Sequence, residues 1–312
     1  MRVLITGGAG YIGTELTRKL AQNQAISEII IYDNLSRKNY NLFISEKFPG
    51  KKIRFVYGDI LDSYNLNKIV DGIDIVFHLA AKVSTPFAHE DPHMFEQVNH
   101  WGTAELSYIL EQSNVSKLIY MSSISIYGAR ADTVNEDTAP DPKTYYGISK
   151  LNGEKMISRL NSQMKTYVLR CGNVYGYSKS MRFDAVINKF MFEAHFNNKI
   201  SIQGSGKQQR TFIHVNKVTT TLSKLLDLDI SSGTYNLADK NFSILELAHI
   251  MKKIYPELEM IFILQNLNLK NIKVDTNTKL SSYNLYKTTD IQDELTDFKN
   301  HFAFNPMVLP QV

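Results

Sequence analysis

The first half of the chain alternates between two hydrophobic periods. Short apolar runs at 2–5, 28–32, 53–57, 73–79, 117–121 and 166–169 read as strands buried on both faces. Helical spacing fills most of the intervals. In 14–20, Leu16 and Leu20 lie four apart while Thr17, Arg18 and Lys19 point outward; 94–113 and 146–160 carry the same signature. Strand, helix, strand in repetition predicts an α/β fold, a doubly wound parallel sheet with helices on both faces. Beyond Tyr175 the alternation loosens. The pattern there predicts a helix over 184–196, a short strand over 200–202, a turn at Gly204-Ser205-Gly206, a helix over 215–228 and a strand over 234–237. Ser243, with Glu246 three residues on, forms a capping box that opens a helix over 243–255, and Pro256 stops it. The expected division is a first domain over 1–176 and a smaller α/β region over 177–312. The helix near 215–228 and the strand near 234–238 are expected to return to the first sheet.

Composition narrows the function classes. Hydrophobic residues make up 43% of the 312 positions and charged residues 21%, which excludes wholesale disorder. The net charge of +4 suits an anionic small ligand and is too weak and dispersed to argue for nucleic acid. The clusters Lys51-Lys52-Ile53-Arg54 and Ser36-Arg37-Lys38 read as solvated surface. Cys171 is the single cysteine, so no internal disulfide forms and a reducing compartment is the simplest expectation. No apolar run approaches the ~20 residues that span a bilayer. The N-terminal run reaches a glycine loop after Ile5, too soon for a signal core. A cytoplasmic location without membrane or nucleic-acid partners is therefore expected.

Candidate chemistry begins at Gly7-Gly8-Ala9-Gly10-Tyr11-Ile12-Gly13, between the first strand and the first helix. Glycines there permit the tight turn, the approach of backbone to a pyrophosphate and close helix–strand packing. The helix N-terminus offers its unpaired N–H groups to the phosphates. Asp33 ends the second strand 20 residues after Gly13, where a carboxylate binds both ribose hydroxyls of NAD and repels a 2′-phosphate. Arg37 and Lys38 nearby leave room for NADP. Asp59, after Gly58 and before Ile60, ends the third strand near the place of an adenine amino group. Leu79-Ala80-Ala81 end the fourth, and their small side chains let a cofactor lie across the strand ends. A Rossmann-type domain that binds NAD is the expectation, and no metal is called for.

Tyr146 and Lys150 stand four apart on one helix face. A tyrosine is a poor base at neutral pH; a nearby ammonium and an oxidised nicotinamide favour its phenolate. Tyr145 competes for the role, but its own partner four residues on is Ser149. Ser122 and Ser123 follow the fifth strand, so their hydroxyls emerge at the sheet's C-terminal edge, where one can bond the reacting sugar oxygen.

With these motifs in order, the chain resembles the extended short-chain dehydrogenase/reductases of the NAD-dependent sugar-nucleotide epimerase/dehydratase type. Further motifs carry the resemblance: Asp33-Asn34-Leu35-Ser36, His78-Leu79-Ala80-Ala81, Val98-Asn99 with Gly102-Thr103, Tyr127-Gly128, Leu169-Arg170, Asn173-Val174-Tyr175-Gly176, Gln208 with Arg210, and Phe212-Ile213-His214-Val215. The resemblance implies roles. Ser123 is the catalytic hydroxyl, Ser122 a cofactor neighbour, Tyr146 the acid/base, and Lys150 the ribose ligand that tunes it. Asn34 and Asn99 belong near the cofactor. Ser84 belongs near the sugar, Asn173 on the sugar diphosphate and Arg210 on a phosphate. Tyr177, Thr211, Asn216-Lys217 and Lys273 depart from the family pattern, and the last 50 residues fit it poorly.

The resemblance also bears on the reaction. Family 4,6-dehydratases place Asp-Glu after the catalytic hydroxyl; this chain has Ile124-Ser125. That favours a UDP-galactose 4-epimerase-like activity on a nucleotide sugar, through a transient 4-keto sugar. A 4-keto-sugar reductase uses the same residues and is the alternative. A nucleotide sensor without catalysis is a third reading, against which Tyr146 and Lys150 are both retained. A homodimer is expected through the helices around 96–111 and 146–160, with Met94, Val98, Trp101, Leu106 and Ile109 as apolar surface.

Overall fold

The computed structural model describes residues 1–44, 47, 48, 50, 52–83, 91–264 and 271–304. The first part runs β1 (Arg2–Thr6), α1 (Tyr11–Leu20), β2 (Glu28–Asp33), β3 (Lys52–Tyr57), α2 (Ser63–Val70) and β4 (Ile75–His78). It continues through α3 (Pro92–Phe95), a π-helical turn (Glu96–Trp101), α4 (Gly102–Glu111), β5 (Lys117–Ser123), β6 (Thr133–Val134), α5 (Tyr145–Ser158) and β7 (Lys165–Cys171). Then follow β8 (Asn173–Tyr175), α6 (Val186–Asn197), β9 (Lys199–Gln203), β10 (Gln209–His214), α7 (Val215–Lys224) and β11 (Gly233–Leu237). The chain closes with β12 (Lys240–Ser243), α8 (Ile244–Ile254), β13 (Glu259–Ile263), β14 (Lys273–Val274) and α9 (Ile291–Asn300).

Among the described residues the main sheet has seven strands, all parallel, in the order β11-β7-β5-β4-β1-β2-β3. Strand order reverses between β1 and β4, so a crevice opens there at the carboxyl ends of the strands. Both faces are covered, as unbroken apolar strands require. Val3, Ile5, Ile29, Ile31 and Phe77 pack with Leu16 and Leu20 of α1 and Val218 and Leu222 of α7 on one face. Leu4, Ile30, Val76, Leu118 and Tyr120 pack with Leu66, Leu106 and Ile157 of α2, α4 and α5 on the other.

The remaining elements build a cap over the crevice. In it β10 lies parallel to β8 and antiparallel to β12. Ile187, Phe190 and Met191 of α6, Leu247 and Met251 of α8, and Leu295 and Phe298 of α9 form a separate apolar cluster. The capping box of α8 is present in both halves: Glu246 N–H donates to Ser243 Oγ at 3.1 Å and Ser243 N–H to Glu246 Oε2 at 2.6 Å. The spacing of 94–113 predicts one helix, but a π-helical turn interrupts it, inserting one residue and turning Asn99 into the interior. β8, β12 and α9 escape the periodicity because they are short or polar. No helix among the described residues is long and apolar enough to cross a membrane.

Candidate active site

The crevice holds a cleft of about 870 Å³ between the main sheet and the cap. Gly7, with φ +72°, opens its floor, and a Cβ there would stand 2.6 Å from the Ala80 backbone nitrogen. A Cβ on Gly13 would lie 2.5 Å from the Gly7 carbonyl, so α1 packs against the loop only with glycine there. Gly10, Tyr11 and Ile12 complete this wall. Asp33 anchors the next segment: Oδ2 accepts from Ala9 N–H at 3.0 Å and Oδ1 from Leu35 N–H at 2.8 Å. Burial pushes its carboxyl up, against the two backbone donors. Asn34 donates to Asp59 Oδ2 at 2.8 Å, and Ile60, Leu79, Ala80 and Ala81 flank the pair across the crevice. A groove shaped by close-packed glycines, closed by small residues and ended by a carboxylate fits the dinucleotide that the sequence implies.

At the other end Ser123, Tyr146 and Lys150 meet. Thr144 caps α5, its Oγ1 accepting from Gly147 N–H at 3.0 Å, and this sets which tyrosine faces inward. Tyr146 lines the cleft beside Phe95, whereas Tyr145 is half exposed on the outer face. The Ser123 hydroxyl donates to Ser125 Oγ at 3.1 Å and lies close enough to the Tyr146 phenol to act on its titration. Burial pushes the Tyr146 phenol up; Ser123 and the Arg182 charge act in the opposite direction. The sequence assigned that lowering to Lys150 together with an oxidised nicotinamide. The Lys150 ammonium instead lies 4.4 Å from the Tyr120 ring centroid, and burial brings its pKa down to about 7, against the pull of Glu154.

Two other residues find buried partners away from the cleft. Ser122 donates to Glu154 Oε1 at 2.5 Å, so its hydroxyl serves a buried ion pair although the residue borders the cleft. Glu154 also takes Arg170 Nη2 at 2.8 Å, with both side chains 8% exposed. Asn99 is fully buried behind the cleft wall. Its Oδ1 accepts from Lys82 N–H at 2.8 Å, and its Nδ2 donates to the Lys82 carbonyl and to Ser149 Oγ. The π-helical turn points it there, so it ties the segment after β4 to α5. Behind it Thr103 Oγ1 donates to the Asn99 carbonyl and therefore accepts from His78 Nε2, which leaves His78 Nδ1 to accept from Thr6. Burial takes His78 down to about 3, so it stays neutral.

On the cap side Asn173 and Arg210 both line the cleft; Asn173 donates to the Thr211 carbonyl at 2.9 Å. Ser84 lies outside the described residues. Arg182, Lys189 and Gln203 also line the cap wall and went unassigned in the sequence, where they were polar residues before, within and after the predicted helix and strand at 184–202. Arg182 pairs with Asp184 at 2.7 Å, and Arg37 reaches the same carboxylate at 3.2 Å. Among the described residues no group of three His, Cys, Asp or Glu is placed to hold a metal.

A family model described as NAD dependent epimerase/dehydratase family matches residues 3–238. Human dTDP-D-glucose 4,6-dehydratase is 31% identical over 83% of this chain and 76% of its own. A UDP-glucose 4-epimerase of Erwinia amylovora is also 31% identical, over 81% of this chain and 82% of its own. The crystal structure of a UDP-glucuronic acid 4-epimerase from Bacillus cereus, in complex with UDP-glucuronic acid and NAD, superposes with a TM-score of 0.85. It covers 96% of this chain and 98% of its own at 24% identity, a likeness of fold. Dehydratases and epimerases stand equally near in sequence, so overall similarity leaves the reaction open. The match over most of the chain, together with the glycine loop and the gathered Ser123, Tyr146 and Lys150, places the chain in the NAD-dependent sugar-nucleotide epimerase/dehydratase family.

Proposed function

We propose that the protein is an NAD-dependent epimerase of a nucleotide sugar, acting at sugar carbon 4 through a transient 4-keto sugar. One observation carries this reading. Ser123, Tyr146 and Lys150 line the reacting end of the cleft, and among the described residues no carboxylate lines it beside them; Glu154, which acts on Lys150, lies outside the lining and is engaged by Arg170 and Ser122. Among the described residues, the cleft's acids are Asp33 and Asp59 at the adenosine end and Asp184, which is held by two arginines. Elimination of water needs a second acid/base pair, and Ser125 stands where one would be, bonded to Ser123.

The chain's own groups divide the work. Asp33 and the glycine loop hold the cofactor, and Lys150 borders its ribose. Tyr146 takes the proton of the carbon-4 hydroxyl and later returns it, while Ser123 bonds the same sugar oxygen. Held by these residues, NAD would supply the hydride-transfer chemistry. Asn173 and Arg210 hold the sugar diphosphate, a task suited to guanidinium geometry.

A 4-keto-sugar reductase is the second reading. Two contacts across the mouth disfavour its repeated cofactor exchange: Arg37 to Asp184, and Asn41 Nδ2 to the Lys179 carbonyl at 2.5 Å. Mass spectrometry of the denatured protein, followed by turnover of UDP-, dTDP-, GDP- and CDP-sugars, tests the reading. Co-purified NAD and a 4-epimer as product are expected. A 4-keto-6-deoxy product, or an empty site that consumes NADPH stoichiometrically, would sink it.

Asp33→Ala is expected to weaken NAD binding and to narrow the preference over NADP, since like charge at Asp33 opposes the extra phosphate. Cofactor titration checks this; tighter NADPH binding by the unmodified protein would remove the role from Asp33.

The same reading includes a homodimer. Leu106 is fully buried, Val98 and Ile109 pack on the core, and Met94 borders the cleft, so the outward surface differs from that expected. It consists of Trp101 and Tyr108 beside Tyr145 and Ile148 of α5, between 40% and 59% exposed. Light scattering at micromolar concentration should give a dimer that Trp101→Glu dissociates. A monomer for the unmodified protein would refute this face.

A further inference from the structure

Tyr11 is read from the sequence as part of the cofactor loop, yet its phenol points away from that task. The ring is 6% exposed and its hydroxyl donates to the Gly176 carbonyl at 2.5 Å, across 165 residues of chain. Asn188 of α6 donates to the same hydroxyl at 3.3 Å. That amide also closes loop 176–182 at both ends, accepting from Gly176 N–H at 3.0 Å and donating to the Arg182 carbonyl at 3.0 Å. Gly176 has φ +110°, and a Cβ there would stand 2.3 Å from His214 Nε2, so its carbonyl direction is fixed. A parallel tie joins Thr14 Oγ1 to Ser180 Oγ at 2.9 Å. The first turn of α1, where the cofactor's pyrophosphate would lie, and the loop that carries Arg182 into the cleft are therefore one bonded unit. Arg182 acts on both the Tyr11 and the Tyr146 phenols.

We propose that Tyr11 is a positioning residue that transmits cofactor occupancy to the sugar-nucleotide wall of the cleft, by bolting loop 176–182 and hence Arg182 to the turn beneath the pyrophosphate. The nucleotide part rests on the function proposed above; the link to the cofactor does not. Fixing α1 with NAD removes freedom from the loop bonded to it, so a second ligand meets a wall already ordered. Tyr146 is the group that feels the result. It faces Ser123 of β5, Cys171 of β7, Lys150 of its own helix, Phe95 of α3 and the Arg182 charge.

Tyr11→Phe deletes one oxygen and keeps the ring. Hydrogen exchange is measured on the whole protein, with NAD first removed and then added back. In the unmodified protein NAD should slow exchange over both 7–13 and 176–182. In Tyr11→Phe it should slow 7–13 only, with NAD affinity within about twofold. Calorimetry with UDP in the presence of NAD should then show roughly tenfold weaker binding, the scale of one buried hydrogen bond. The rising limb of the pH–rate profile should move to higher pH, because a displaced Arg182 no longer favours the phenolate. Asn188→Asp removes the donor to Tyr11 and to Arg182 while keeping the acceptor for Gly176. It should reproduce these effects, and the double variant should add little. A strut without coupling would lower the melting temperature of Tyr11→Phe and leave protection of 176–182 by NAD intact, which overturns the proposal. Protection transmitted as expected in a protein that binds no nucleoside diphosphate would overturn the proposed substrate class and leave the link standing.

Discussion

Tyr146→Phe is expected to lose nearly all turnover and to keep its NAD. In the proposed reaction the phenol oxygen moves the carbon-4 proton, whereas the proposed cofactor ligands are the glycine loop, Asp33 and Lys150, which line the same cleft. A positioned acid/base contributes typically ~10²–10⁴-fold, or about 3–5 kcal/mol of barrier. The loss should lie at the upper end, because among the described residues no other carboxylate or phenol lines that end of the cleft. Burial pushes the Tyr146 phenol up, so it is protonated in the free protein, and it works as a base only when positive charge gathers around it. Arg182 supplies part of that charge. Ser123→Ala should cost less, since water can replace a hydroxyl. Single-turnover reduction of bound NAD by the panel of sugar nucleotides measures both. Equal rates for Tyr146→Phe and the unmodified protein would remove Tyr146 from the mechanism.

Glu154→Gln should unfold the protein early and weaken what activity survives. Glu154 is held by Arg170 through 2.8 and 3.1 Å contacts and by Ser122, and it is nearly sealed from water. Neutralising it strands the Arg170 charge, which typically costs about 3–5 kcal/mol. For a chain of this size that is a fall of roughly 10 °C in the melting temperature. The second effect is electrostatic. Glu154 is the charge that supports the Lys150 ammonium, already brought down to about 7. Without it the folded-state pKa falls further, so Lys150 is charged only at lower pH. Activity should therefore drop more at pH 8 than at pH 6. A melt within 2 °C of the unmodified protein would mean that the pair is open to solvent.

The two experiments probe parts of the site that were unequally legible. The places of Gly7, Gly10 to Gly13, Asp33, Asp59, Ala80 and Ala81 on the cleft were readable because they are set locally. A turn with φ above zero needs glycine, and a strand end fixes where its carboxylate points. Tyr146 over Tyr145 was readable for the same reason: helical spacing places Lys150 beneath one and Ser149 beneath the other. The parallel sheet followed from apolar runs alone, since strands buried on both faces show no alternation.

What the chain determined by itself was therefore its strand–helix alternation, its cofactor loop and the Tyr146–Lys150 face, all set by contacts within a few residues. Tertiary structure decided the rest. It turned Asn99 inward through the π-helical turn, gave Ser122 to Glu154, and laid Lys150 over Tyr120. It also brought Arg182 within electrostatic reach of Tyr146, through a phenol 165 residues from its acceptor. Each of these depends on which distant side chain fills the remaining space and which buried polar group still needs a partner. Neither is encoded in spacing; both are settled only when the sheet and its cap close on one another.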